Sequence, residues 1–191
     1  MPMTNSSLKH ILESLLHKHS SCSSYESTGQ YSERNYSADF KIHFRRDIEF
    51  SLSWCETGKT SDSTINKQQQ IRVDSSGTQY RADLEKSFLP VAQKVFDNAE
   101  NSLLYLVGNT TYGLFCGRKA LAVFDDHINV DEPDSLVRQG DLLLATYKDS
   151  EEEFLVTIDL AQSKVMALKS TSMLITNDAV ARFSDVSFDS L

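Results

Sequence analysis

The sequence predicts a mainly β domain of the α+β class, a curved antiparallel sheet preceded by one amphipathic helix. Three observations predict it. The hydrophobic period is 3.6 at the start of the chain and 2 over most of the remaining residues. Two successive strand segments place seven large apolar side chains on one face, with Ala38 as an eighth member. Polar and glycine-containing clusters punctuate the rest at strand-length intervals.

The opening helix rests on Leu8, Ile11, Leu12, Leu15 and Leu16, which share one helical face. Asn5, Ser6 and Ser7 offer N-caps, and the segment Ser20 to Ser24 breaks the helix. Tyr25 to Glu33 reads as a first strand, bulged at Gly29. Ala38, Phe40, Ile42 and Phe44 alternate with Asp39, Lys41 and His43, which specifies a half-buried strand. After the turn Arg45-Arg46-Asp47, Ile48, Phe50, Leu52 and Trp54 alternate with Glu49, Ser51 and Ser53. Thr57 to Lys67 is a polar loop. Gln70 to Val73 and Thr78 to Arg81 form a hairpin about Asp74-Ser75-Ser76-Gly77, where glycine can take a positive φ.

The middle of the chain has mixed spacing. A helix is expected from about Pro90 to Asn98, with proline in its first turn. Ser102 to Val107 reads as a strand or as more of that helix, and Thr111 to Phe124 as a strand pair or a loop laid over the sheet. Leu142 to Tyr147, Glu153 to Ile158 and Lys164 to Lys169 are three antiparallel strands, and Val180 to Phe188 is a last one. The 191 residues suit one domain, 1–191. It divides into a helix (1–20), first strands (24–81), a covering region (84–135) and last strands (140–191).

Composition excludes several function classes. The net charge is −8, and 125–159 alone holds eleven acids against Arg138 and Lys148. Such a field repels phosphate backbones, so no nucleic-acid partner is expected. Those acids read as hydrated loops between strands. No apolar run approaches the roughly 20 residues of a membrane-spanning helix. Met1-Pro2-Met3-Thr4-Asn5 lacks the basic start and apolar core of a secretory signal. The expectation divides between a cytoplasmic protein and one whose signal has been removed.

Catalytic signatures are missing. Cys22, Cys55 and Cys116 form no CxxC pair. His10, His17 and His19 read as surface residues, without the carboxylates of a metal site, and His43 as solvent-facing. Asp125 to Glu132 offers alternating oxygen ligands, but Val130 replaces the required glycine and Leu136 the last acidic ligand of a calcium loop. There is no Gly-x-Ser-x-Gly elbow and no glycine-rich phosphate loop. An enzyme built on Cys116 and His127 is the lesser alternative; no catalytic residue, cofactor or metal is assigned. What remains is the aromatic face. It is either the packed core of a sheet, or, if the sheet curves strongly, the lining of a cavity.

The order of these residues resembles the LolA-like, lipoprotein-carrier-like family. Tyr25-Glu26-Ser27-Thr28-Gly29 follows an amphipathic helix and is similar to the family's early Tyr-x-x-Thr-Gly. Phe44, Arg46, Phe50, Leu52 and Trp54 match Phe-x-Arg-Pro-x-x-Phe-x-Phe-x-Trp/Tyr in type and spacing, with Asp47 in place of the proline. Ile71 to Tyr80, Phe154 to Leu168 and Arg182 to Phe188 resemble later family strands. The resemblance implies a half-open β-barrel of the cell envelope or periplasm, closed by helices and acting as a non-catalytic carrier. Phe40, Ile42, Phe44, Phe50, Leu52 and Trp54 would bind an apolar small molecule, a lipid or an acylated protein. Arg46 would fasten a covering helix or loop. A monomer is expected, with an envelope protein as a further partner. The alternative is a protein-interaction module with a filled core that uses an edge strand or the acidic 125–159 segment.

Overall fold

A computed structural model describes residues 5–57, 68–83, 88–90, 98–116, 121, 130, 132–149, 151–172 and 178–189. The opening helix α1 spans Asn5–Ser21, a turn longer than the apolar stripe at its N-terminal end because Asn5 to Ser7 join it. Then come β1 (Ser24–Glu33), β2 (Tyr36–Arg45), β3 (Glu49–Thr57), β4 (Gln68–Asp74), β5 (Gln79–Asp83) and β6 (Phe88–Pro90). Helix α2 (Asn98–Leu103) continues through a π-helical stretch, Leu104–Asn109, into α3 (Thr110–Cys116). The chain closes with β7 (Ser135–Gln139), β8 (Leu142–Lys148), β9 (Glu152–Asp159), β10 (Lys164–Ser172) and β11 (Asp178–Phe188).

All eleven strands belong to one antiparallel sheet in the order β6-β5-β4-β3-β2-β1-β11-β10-β9-β8-β7. The first and last strands meet in its middle. The two strands flanking the central segment, β6 and β7, form its edges. A chain that must travel from one edge to the other crosses a face of the sheet, and the α2–α3 helix lies on that route. One face carries the core: Tyr25, Phe40, Ile42, Phe44, Phe50, Leu52, Trp54 and Ile71 on the first strands, Val156, Ile158 and Leu168 on the last. The curved sheet with helices on that face agrees with the fold class expected from the sequence.

Several local expectations are corrected. The register irregularity of β1 lies between Glu26 and Thr28 against β11, not at Gly29. Gly29 has another reason: a Cβ there would overlap Phe40 Cζ and the Arg182 carbonyl oxygen. Phe40 is thus packed onto the bare backbone of the neighbouring strand. Ile48 is not part of the inward alternation; it stands in the β2–β3 turn and is 51% exposed. Asp47 in the same turn has φ +58, which proline cannot adopt, so the departure from the family pattern goes with a left-handed turn. Pro90 ends a strand, and 91–97, most of the expected helix, lies outside the described residues. Ser102 to Val107 and Thr111 to Cys116 are helical, which settles the first and replaces the strand pair or loop expected for the second up to Cys116. β7 lies between the expected covering region, which ends at 135, and the last strands, which begin at 140; its sequence has no apolar alternation because an edge strand buries neither face fully. His19 is buried at 2% exposure, contrary to the surface reading.

Candidate functional site

The inner face of β2–β4 is covered by the α2–α3 helix. Gly108, in its π-helical stretch, brings backbone against the sheet: a Cβ there would stand 2.9 Å from Leu52 Cδ2 and 3.1 Å from Leu121 Cδ1. Buried Asn109 accepts a hydrogen bond at Oδ1 from the Leu121 amide, 2.8 Å, which ties Leu121 to the helix. Further along, Tyr112 faces Phe50 with ring centroids 5.2 Å apart, and Phe115 stacks on Phe44 at 4.7 Å and 14°. Tyr25 also meets Phe115, at 4.7 Å. Offset and tilted aromatic pairs of this kind add about 0.5–1.5 kcal/mol each beyond their burial.

Beside these rings, among the described residues, a pocket of about 380 Å³ opens at this end of the half-barrel. That volume lies within the range of about 300–1,000 Å³ typical of ligand sites. Phe44, Phe50, Val73, Tyr112 and Phe115 form its apolar floor, and the turns at Arg45–Glu49 and Asp74–Gly77 form its rim together with Ser20 and Cys116. The rim turns are organised by their own side chains. Asp74 Oδ1 accepts from the amides of Ser76 and Thr78 at 2.9 and 3.1 Å. Glu49 accepts from Arg45 Nη2 at 3.1 Å and pairs with Arg72 Nε at 3.2 Å. Burial pushes the Tyr112 phenol up to about 12, with Cys116 beside it adding to the rise, so the floor is uncharged at neutral pH.

Arg46 spans from this rim to α1. Its Nε donates to the Cys22 carbonyl at 2.8 Å and its Nη2 to the Ser20 carbonyl at 2.7 Å, while the Arg46 amide donates to the Ser23 carbonyl at 2.8 Å. These are carbonyls at and just past the helix C-terminus, where the helix leaves acceptors unmet and its dipole favours a cation. The guanidinium also lies 5.4 Å from the Phe44 ring centroid. Next to this joint, His19 Nδ1 donates to the Leu15 carbonyl at 2.8 Å, and its ring meets Phe188 edge-on at 5.0 Å. Burial lowers the His19 pKa to about 4, so this ring is neutral.

The six residues expected to bind an apolar ligand are therefore distributed unevenly. Phe44 and Phe50 border the open pocket. Leu52 lies under the helix at Gly108, and Ile42, like Leu52, is 0% exposed. Phe40 meets Phe183 edge-on at 5.3 Å over Gly29. Trp54 is 2% exposed, and Gln69, its partner on β4, bonds to Glu100 of α2. Phe40, Trp54 and Phe183 border a depression of about 610 Å³ together with residues of the outer face, among them Thr28, Gln30, Asp39, Lys41 and Arg182. Val73, Tyr112, Phe115 and Ile48 were missed as site residues. Tyr112 and Phe115 lay in a run with no readable period, and Ile48 imitated a strand position. His127 and most of Asp125–Glu132 lie outside the described residues, as does any Cys116–His127 contact.

No protein-family model matches the chain, and no curated protein does. Solved structures do. The hypothetical protein CT021 from Chlamydia trachomatis is similar at a TM-score of 0.43 and 8% identity, over 95% of this chain and 93% of that one. A domain assigned to outer membrane lipoprotein sorting, from Vibrio parahaemolyticus, gives 0.42 and 8%, over 98% and 94%. The LolA superfamily protein NE2245 from Nitrosomonas europaea gives 0.41 and 11%, over 100% and 96%. All three TM-scores lie below 0.5 and all three identities below 12%.

Proposed function

We propose that this chain is a non-catalytic binding protein that takes an apolar group, such as a lipid or the acyl chain of a modified protein, into the aromatic pocket at the open end of its half-barrel, and that it works in the bacterial cell envelope. The observation that carries this reading is the pocket of about 380 Å³ whose inner wall is formed by the buried rings of Phe44, Phe50, Tyr112 and Phe115. Burying apolar area there stabilises a complex by about 25 cal/mol per Å². Exposed Ile48 on the rim would extend the apolar contact to a chain entering from outside. Arg46, which ties the end of α1 to the same rim, would set how far α1 and the rim can part during loading.

The test uses the delipidated protein with the fluorescent probe N-phenyl-1-naphthylamine, displaced by palmitate or by a palmitoylated peptide. Saturable, competed fluorescence is expected. Ile48→Glu, at an exposed position that leaves the core intact, should weaken it by roughly five- to tenfold, about 1–1.4 kcal/mol. A probe that never saturates, or one indifferent to Ile48→Glu, sinks the reading.

A further inference from the structure

The size of the pocket limits what it can hold. A methylene group takes up about as much room as a water molecule, about 30 Å³ in a liquid. At that packing a space of about 380 Å³ seats on the order of twelve chain carbons. That is one acyl chain of medium length. Two chains side by side would each be limited to about six carbons.

The inner end of the pocket is closed. Phe115 lies on Phe44 with ring centroids 4.7 Å apart and 14° between the planes, and Tyr112 tilts over Phe50 at 5.2 Å. Further in along the same face, Leu52 is 0% exposed, and the helix backbone at Gly108 is so near that an added methyl carbon would stand 2.9 Å from Leu52 Cδ2. The neighbouring space, between α1 and β8–β10, is about 10 Å³. Close-packed interiors do not yield freely to added volume. Among the described residues, then, a chain entering from the rim stops at these rings. The outer end is polar: Arg45, Arg46, Asp47, Glu49 and Asp74 stand there. Among the described residues of the rim, Ile48 is the one exposed large hydrophobic. Chain carbons beyond it return to water and gain nothing from the pocket.

We infer that the pocket measures its ligand: it takes a single linear acyl chain of about twelve carbons with the head group outside, and does not seat the several chains of a multiply acylated lipid or protein. Tyr112 and Phe115, the rings that the helix lays across the inner end, set the length. This length limit rests on the pocket being an acyl site, and it sharpens that reading to a class of ligand.

Displacement of N-phenyl-1-naphthylamine by saturated fatty acids from hexanoate to stearate, each below its micellar concentration, tests the limit. Affinity should rise by up to about fourfold per added carbon as far as laurate, the ratio for a buried methylene. Myristate, palmitate and stearate should then compete within about twofold of one another. Dilauroyl phosphatidylcholine should compete no better than lauroyl lysophosphatidylcholine. At equal chain length, the tightest of laurate, lauroyl lysophosphatidylcholine and an N-lauroyl peptide tells whether the chain comes on a free acid, a lipid or a protein. Tyr112→Ala, which opens the inner end by about the room of a ring, should move the plateau to chains longer by on the order of three carbons. A plateau that stays at laurate in the folded variant overturns the proposal, and the wild-type series decides if that variant does not fold. Failure of every acid to compete sinks the acyl-site reading itself. Affinity that keeps climbing to stearate, or a diacyl lipid that outcompetes its single-chain counterpart, leaves that reading standing and overturns the length limit.

Discussion

The inner faces of β2–β4 and of β8–β10 are both hydrophobic, and each lies under a helix, yet among the described residues the first borders much the larger space. Over β8–β10, α1 presents Leu12, Leu15 and Leu16 to Tyr147, Val156, Ile158, Val165 and Leu168, and the void left among them is about 10 Å³, too small for a ligand. Over β2–β4 the face is aromatic, and a pocket of about 380 Å³ lies between Phe115 and the turns at Arg45–Glu49 and Asp74–Gly77. The outer faces differ in the opposite sense. That of the first half carries Glu26, His43, Glu49 and Arg72 in one polar network, with His43 Nδ1 2.9 Å from Glu26 and Arg72 Nε 3.2 Å from Glu49. That of the last half exposes Val137 and Leu142. The first half thus borders the pocket on its inner side, whereas the last half carries exposed apolar side chains on its outer face.

The halves meet along β1 and β11, and the largest expected effect is there. Phe40 from the first half lies over Gly29 and meets Phe183 of the last. Gly29→Ala places a methyl against both the Phe40 ring and the Arg182 carbonyl; the ring can move, but the backbone of β11 cannot. A loss of about 3 kcal/mol is expected in urea unfolding, the upper end of overpacking costs. If the two halves were independently stable, the transition would instead split in two, with one limb unchanged.

A second effect sits where the two covers touch. His19 of α1 packs 5.9 Å from Phe115 of α3 and 5.0 Å from Phe188 of β11. Its folded pKa of about 4 lies below the unfolded 6.5, so the unfolded chain takes up the proton first as pH falls. The stability due to neutral His19 is complete above pH 6.5, declines between 6.5 and 4, and has no further to fall below that. The slope approaches 1.4 kcal/mol per pH unit, on the order of 3 kcal/mol in total. His19→Leu should remove this component, read as the difference between the two proteins' stability curves from pH 7 to pH 4. Parallel curves would show that the ring is not buried in solution.

The part of the fold that could be read in the sequence came from periodicity. Alternation through Phe40–Phe44 and Phe50–Trp54 fixes which side chains face inward, because the strand period is two and β2 and β3 bury their apolar side chains on one face. It does not say how closely a cover approaches, and that decides cavity against core. Gly108 on Leu52 is a contact between residues far apart in the chain, with no local trace. The α2–α3 helix was hard to read for a related reason. Leu103, Leu104, Leu106, Val107, Tyr112, Leu114 and Phe115 are all buried, so the helix is apolar on more than one side and has no contrasting face to give a period. His19 was misread because it falls on the buried stripe one turn after Leu15, at the end of a helix whose other histidines are polar-facing. The family pattern did single out Arg46, but a pattern supplies no acceptor; those are the Ser20 and Cys22 carbonyls.

Arg46 gives the smallest effect and the sharpest test of how the halves are joined, since a turn of the first half here holds the cover of the last. Arg46→Ala removes two bonds to helix-end carbonyls, partly exposed to water, and should cost about 1–2 kcal/mol. Arg46→Lys should recover little of it, because a single ammonium cannot reproduce the guanidinium fork that reaches the Ser20 and Cys22 carbonyls together. Hydrogen exchange separates this from a general loss of stability. Amides in the last turns of α1 should exchange faster in Arg46→Ala, while those of β2 and β3, held by their own ladder, keep their protection. Uniform acceleration through both would mean that α1 and the aromatic sheet open as one unit. The pocket rim could then not part from α1 without unfolding, and ligand entry would have to leave that joint closed.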